Sequence, residues 1–219
     1  NLYKELGAYT KAEPMYQRAL TIRTAKLGED SLEVAQSDSD LGGLYLAMGN
    51  YAGAEPYYQK ALDLRQAKLG AEHPDVAETL NEMGNLDKRR GAYPKAEARY
   101  RQALAIREKK LQPSDPRIAE SLNDLAALYE QLGDLKAAEA PLRRALELRQ
   151  KALGQDSPEA AESMGQLALL EQSKGNYDQA EQLLKQALTI REKKLGKEHP
   201  SVAESCIALG DLAYARKDL

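Results

Sequence analysis

The sequence predicts an all-α solenoid of antiparallel helix pairs, and three observations carry that prediction. A glycine returns every 42 residues, at Gly7, Gly49, Gly91, Gly133 and Gly175. Behind each stands the same frame: Ala12-Glu13, Ala54-Glu55, Ala96-Glu97, Ala138-Glu139 and Ala180-Glu181, then Ala19-Leu20, Ala61-Leu62, Ala103-Leu104, Ala145-Leu146 and Ala187-Leu188. Between the frames, apolar and small residues such as Val76, Ala77, Leu80, Met83 and Gly84 fall three and four apart, the spacing of one helix face. A fixed period in this range marks a chain whose units bury their apolar faces against their neighbours.

Asn1-Leu2-Tyr3 matches Gly43-Leu44-Tyr45, so the chain starts inside a partial helix at 1–6. Helix pairs follow at about 9–27 with 32–48, 51–69 with 74–90, 93–111 with 116–132, 135–153 with 158–174 and 177–195 with 200–216. The helix ahead of each recurring glycine is here called A, and the one behind it B. His73-Pro74 opens an A helix, a cap followed by proline at the first helical position, where a missing N–H costs nothing. Asp115-Pro116, Ser157-Pro158 and His199-Pro200 repeat the device. Gly91 ends that helix, since the left-handed backbone at a helix stop suits a residue without Cβ.

Helix B begins near Tyr93, and Ala96, Tyr100, Ala103, Leu104, Ile106 and Leu111 form its apolar stripe. Ala96 and Ala103 are small enough to let helix A approach closely. B helices end at Leu27-Gly28, Leu69-Gly70, Leu153-Gly154 and Leu195-Gly196; Gln112 is the exception. Pro14, Pro56 and Pro141 lie inside B helices, where a proline costs roughly 3 kcal/mol. Pro14 and Pro56 sit at one repeat position, so a tolerated bend near the helix start is expected.

The array spans 1–219 and reads as a fragment of a larger protein, opening without methionine at Asn1. Pro200 to Leu219 is an A helix with Lys217 where a glycine would close it, so Leu209 and Leu212 are expected to fray or be covered by another molecule. One unit breaks its pattern: Asp38 aligns with Leu80, Leu122, Met164 and Cys206, and Leu32 replaces the capping proline. Burying an unpaired carboxylate costs several kcal/mol. Displacement or partial solvation of the helix from Ser37 to Gly43 is expected.

Composition excludes several classes of partner. With 31 basic and 34 acidic residues the net charge is −3, so no global field favours DNA, RNA or an anionic membrane. No apolar run approaches the ~18 residues of a membrane span. Cys206 is the one cysteine, which points to a reducing, cytoplasmic compartment. Tyr16, Tyr58 and Tyr100 recur at one repeat position, as packing residues do. His73 and His199 are caps two units and more apart, unsuited to sharing a metal, and Cys206 aligns with core leucines. No phosphate-binding Gly-x-x-x-x-Gly-Lys-[Ser/Thr] is present. No catalytic residue, metal site or cofactor is expected, and the chain reads as a non-enzyme.

Leu-x-x-Leu/Met-[Ala/Gly]-x-x-Tyr in helix A and Ala-Glu-x-x-Tyr-x-x-Ala-Leu in helix B resemble the tetratricopeptide repeat. The period, with Leu69-Gly-Ala-Glu-His-Pro-Asp-Val-Ala77, Ser121-Leu-Asn-Asp-Leu-Ala126 and Ala187-Leu-Thr-Ile-Arg-Glu-Lys-Lys-Leu-Gly196, is similar to the kinesin-light-chain type. The heptad coiled coil that precedes the repeats of light chains is absent from this sequence. The resemblance implies a right-handed superhelix in which A helices line a concave, peptide-binding groove.

On that implication, the groove positions include Ser39, Asn81, Asn85, Lys88, Arg89, Asn123, Ala127, Gln131 and Leu169. An asparagine amide both donates and accepts, so it can satisfy an extended backbone whatever the side chains are. Asn81 and Asn123 match the family's Leu-Asn-x-Leu-Ala asparagine; alternatively they hold neighbouring repeats. The groove turns from polar at Asn81 and Asn85 to apolar at Leu169 and Ile207. Along its edge run Glu78, Glu120, Glu162 and Glu204. These carboxylates either repel acidic ligands or pair with the arginine row Arg23, Arg65, Arg107, Arg149 and Arg191. The leading functional expectation is a non-catalytic adaptor or scaffold module that binds a protein or peptide segment. The alternatives are a structural spacer self-associating through uncapped ends, and a regulatory region of an enzyme whose catalytic domain lies elsewhere.

Overall fold

The computed structural model describes residues 9–216, and every regular element among them is an α-helix. In order these are α1 (Tyr9–Leu27), α2 (Leu32–Ala47), α3 (Tyr51–Leu69), α4 (Pro74–Arg89), α5 (Tyr93–Lys110), α6 (Pro116–Gln131), α7 (Leu135–Leu153), α8 (Pro158–Ser173), α9 (Tyr177–Leu195) and α10 (Pro200–Arg216). The expected helix at 1–6 and the stop at Lys217 lie outside the described residues. Two compact units divide the chain, Asn1–Lys110 carrying α1–α5 and Leu111–Leu219 carrying α6–α10. In the first, A helices α2 and α4 pack most extensively on the B helices that follow them, α3 and α5. In the second, α6 pairs with α7 and α8 with α9 in the same way.

Local chemistry explains the helix limits. The His73 ring Nδ1 accepts from the Asp75 N–H at 3.2 Å, and Asp115 Oδ1 from the Arg117 N–H at 3.0 Å. Ser31 Oγ accepts from the Val34 N–H at 3.3 Å, so α2 is capped without the proline. At the other end of α4, the Gly91 N–H reaches the Lys88 carbonyl at 3.1 Å and the Ala92 N–H the Asp87 carbonyl at 2.8 Å. That crossed pair of bonds requires a left-handed residue, and Gly91 sits at φ 77°.

The proline-bearing B helices do not start late. Pro56 and Pro141 lie inside helices that begin at Tyr51 and Leu135, with Asn50 and Asp134 capping them through the N–H groups of Gly53 and Ala137, both at 3.0 Å. Pro56 is exposed, as is Ala52, whose carbonyl loses its helical donor. Water can therefore satisfy that carbonyl.

The first unit's core joins Ala54, Tyr58 and Leu62 of α3 to Val76, Leu80 and Met83 of α4 and Ala103 and Ile106 of α5. The second unit uses Ala161 and Met164 of α8 against Ala187 and Ile190 of α9. Within each unit a polar clamp ties a B helix to the A helix that follows it. Arg65 Nη1 donates to the Asp75 carbonyl at 3.1 Å and to Thr79 Oγ1 at 2.7 Å, while Nη2 donates to Gln36 Oε1 at 2.6 Å. Arg23 makes the same reach to the Glu33 carbonyl and Ser37, Arg149 to Glu159 and Ser163, and Arg191 to Ser201 and Ser205. Arg65 is 3% exposed, so these bonds substitute for water it has lost.

Two expectations fail. The helix around Asp38 is not displaced: α2 runs unbroken from Leu32 to Ala47 and Asp38 is buried within it. A cleft beside the carboxylate and the nearby Lys60 charge accommodate it in place. Cys206, expected in the core, is exposed. Its counterparts Leu80 and Met164 are covered by the following B helix, whereas no described helix follows α10 to cover Cys206. Leu212 is nonetheless buried, in a cluster with Ala168, Ala180 and Leu184 and with Leu209 packed beside it.

Candidate partner-binding face

In the first unit the expected groove positions fall on α4. Asn81, Asn85 and Lys88 are partly exposed, and Arg89 is exposed. Tyr100, buried from α5, organises two of them. Its hydroxyl donates to Asn85 Oδ1 at 2.8 Å, and Lys88 Nζ lies 5.8 Å from its ring centroid. The Asn85 amide is thereby oriented with its N–H donors left for another acceptor. Beneath them Asp87 is buried against Arg99 at 2.6 Å, and desolvation pushes its carboxyl above the usual range despite that guanidinium. Ser39 does not belong to an accessible face. It is 2% exposed on α2 and its Oγ has no hydrogen-bond partner, so a ligand cannot reach it here.

In the second unit Ala127 and Gln131 of α6 are exposed, and Asn123 is half-buried with Oδ1 accepting no hydrogen bond. On α8, Leu169 is 53% exposed, and on α10, Ile207 is 64% exposed. Gly165 has only Arg191 Nη2 near the place a Cβ would take, at 4.0 Å, so α8 leaves backbone accessible beside Leu169. Gln166, missed in the sequence, also has a buried Oε1 with no partner. Nothing in its pattern would have distinguished it, because its repeat position carries carboxylates in Glu82 and Asp124.

The edge carboxylates are exposed and sit beside the clamp arginines. Glu78 lies 3.9 Å from Arg65, Glu162 3.4 Å from Arg149 and Glu204 3.8 Å from Arg191; Glu120 is exposed as well. Pairs this long and this wet contribute about 0–1 kcal/mol. The carboxylates thus keep most of their outward field, and the guanidinium is occupied by carbonyl and hydroxyl acceptors. No group of three or more His, Cys, Asp or Glu among the described residues could hold a metal ion, and no described helix is long and apolar enough to cross a membrane. What the faces offer is amide hydrogen bonding, two cations and exposed aliphatic surface.

Tetratricopeptide repeat models match residues 33–109, 117–193 and 159–219, with related models of the same repeat on 1–33 and 81–152. No curated protein matches in sequence. Among solved structures, BtubC (BKLC) from P. vanneervenii is 26% identical, with TM-score 0.76 over 96% of this chain and 83% of its own. A kinesin-light-chain-type protein of Podosopora anserina, with nearly identical TPR-like repeats, is 24% identical, with TM-score 0.73 over 87% of this chain and 90% of its own. The apo form of RapI is 20% identical, with TM-score 0.69 over 97% of this chain and 73% of its own.

Proposed function

The chain belongs to the tetratricopeptide repeat family, in its kinesin-light-chain-like form, and from that premise we propose that the open faces of its A helices hold an extended segment of a partner protein. Protein–protein interaction is the general capacity of such repeats; the mode and the residues are the proposal. The observation that carries it is the exposure of Leu169 and Ile207 at 53% and 64%. Both occupy positions where the repeats diverge while the packing residues stay constant, and exposed aliphatic surface of this kind marks interaction sites.

Asn123 supplies an amide for the partner's backbone, and Asn85 does so in the first unit. The exposed Glu78, Glu120, Glu162 and Glu204 disfavour acidic segments, so the ligand is neutral or partly basic, and Lys88 with Arg89 takes a local anionic group. The role is that of a non-catalytic adaptor or scaffold. Fluorescence anisotropy with matched basic and acidic peptides at low salt tests the polarity. Preferential binding of basic or neutral peptides, weakened by Asn123→Ala and Leu169→Ser, is expected; clear preference for acidic peptides contradicts it.

A further inference from the structure

We propose that the cleft between α1, α2 and α3 is a binding site for an organic ammonium group on an alkyl stem, anchored on the Asp38 carboxylate. The cleft has a volume of about 570 Å³ and lies wholly within the first unit. Leu20, Val34 and Leu64 contribute apolar wall, Asp38 the floor, and Asp63 and Lys60 part of the rim. It uses none of the residues of the open A-helix face, so it stands or falls apart from the function proposed above.

Asp38 is what makes the cleft a site. It is 5% exposed, yet its carboxylate accepts no hydrogen bond and joins no ion pair among the described residues. Buried carboxylates are normally hydrogen-bonded or paired, because desolvation otherwise costs several kcal/mol. Lys60 is near enough to be felt electrostatically, but its ammonium lies 5.9 Å from the Tyr57 ring centroid and forms no ion pair with Asp38. Burial pushes the Asp38 carboxyl above the ordinary carboxylate range, with the Lys60 charge opposing. Glu29 and Asp30 add negative charge at the mouth; Asp30 is shared with Lys68 at 3.8 Å.

The molecule contains its own control. In the second unit a cleft of about 460 Å³ occupies the equivalent place, lined by Gln150, Met164, Lys185, Gln186, Thr189 and Ile190 among others. Met164 stands there for Asp38 and Thr189 for Asp63. The cleft is therefore a product of the architecture; Asp156 stands in it for Asp30, while the carboxylates of Asp38 and Asp63 belong to the first cleft and not to the second.

The chemistry selects the ligand. A cation entering the cleft recovers the desolvation cost that Asp38 bears unpaired, and an alkyl stem covers Leu20, Val34 and Leu64 as lysine stems do elsewhere. A compact ammonium has three donors, enough for Asp38 and for Asp63 at the rim. Two sources share this chemistry, a free alkylamine and a lysine side chain of a partner.

The test titrates n-butylammonium, and separately an acetylated and amidated Gly-Lys-Gly peptide, into the whole chain while following methyl NMR signals. Saturable shifts are expected at Val34 and Leu64 and not at Ile190. Asp38→Asn, nearly isosteric and free of the buried charge, should weaken binding by about tenfold or more, and Lys60→Ala should strengthen it. Binding of both probes assigns the site to protein lysines, and binding of the amine alone to a small molecule. No saturable shift with either probe, or unchanged affinity in Asp38→Asn, overturns the proposal.

Discussion

At the scale of single residues, the pair Gly84 and Tyr100 shows how tightly the helices are fitted. A Cβ on Gly84 would lie 2.6 Å from Tyr100 Cε1, and one on Gly42 would lie 2.8 Å from Tyr58 Cδ1. Where the repeat carries Ala126 and Ala168, its ring position carries Leu142 and Leu184. Side-chain size is exchanged across the contact. Gly84→Ala should therefore destabilise the protein by about 1–3 kcal/mol through overpacking, read as a lower urea midpoint. Adding Tyr100→Leu should recover most of the loss; an additive loss would contradict the account.

Asp38 supports a second prediction at this scale. Its folded-state carboxyl is raised above its ordinary value by burial, so the folded protein holds the proton more firmly than the unfolded chain. Its contribution is then present below the ordinary carboxylate range and is lost as pH rises through the elevated folded value. Asp38→Leu removes that loss and should stabilise the protein by about 1–3 kcal/mol at neutral pH. In thermal melts from pH 3 to pH 7, the variant's advantage should grow with pH; an advantage that shrinks would refute the assignment.

At the scale of elements, the B helix is fastened to the next A helix by an arginine as well as by apolar packing. Arg65, Arg149 and Arg191 each reach a carbonyl ten residues on and a hydroxyl fourteen residues on. Arg65→Leu should cost about 2–4 kcal/mol, because it leaves the Asp75 carbonyl and Thr79 hydroxyl without that donor in a buried site. A double-mutant cycle with Thr79→Val should give a coupling of about 1 kcal/mol; a coupling near zero would mean the clamp adds nothing.

The helices and their stops were legible in the sequence because proline caps, glycine stops and apolar spacing are local signals. The clamp is harder to read, although an arginine recurs at the Arg65 position every 42 residues and Ser37, Thr79, Ser121, Ser163 and Ser205 put a hydroxyl at the other, since a repeated arginine reads first as surface charge. Asp38 stands out in the sequence as an anomaly, but the helix displacement it suggests does not occur. Sequence shows which residue is buried, while whether a helix moves or a cleft opens depends on neighbours such as Lys60 and Leu64. The repeat position of Asn81 predicts Ser39 on the groove, but the packing around α2 closes over it.

At the scale of the whole molecule, the family relation supports protein–protein interaction in general, and the proposal ties the choice of partner to the distribution of exposed groups. The two units present different chemistry. Asn85, Lys88 and Arg89 make α4 polar, and Leu169 makes α8 aliphatic. With a net charge of only −3, long-range steering is weak, and on the proposed function recognition would rest on these local faces.

The central claim is that partners are read by the open A-helix faces, and selection from a random displayed-peptide library tests it most directly. Peptides recovered on the wild-type chain are re-measured on Asn123→Ala/Leu169→Ser. The account predicts peptides rich in apolar residues and poor in acidic ones, whose affinity falls about tenfold or more on the variant. Acidic peptides, or peptides that bind the variant as tightly as the wild type, would contradict it.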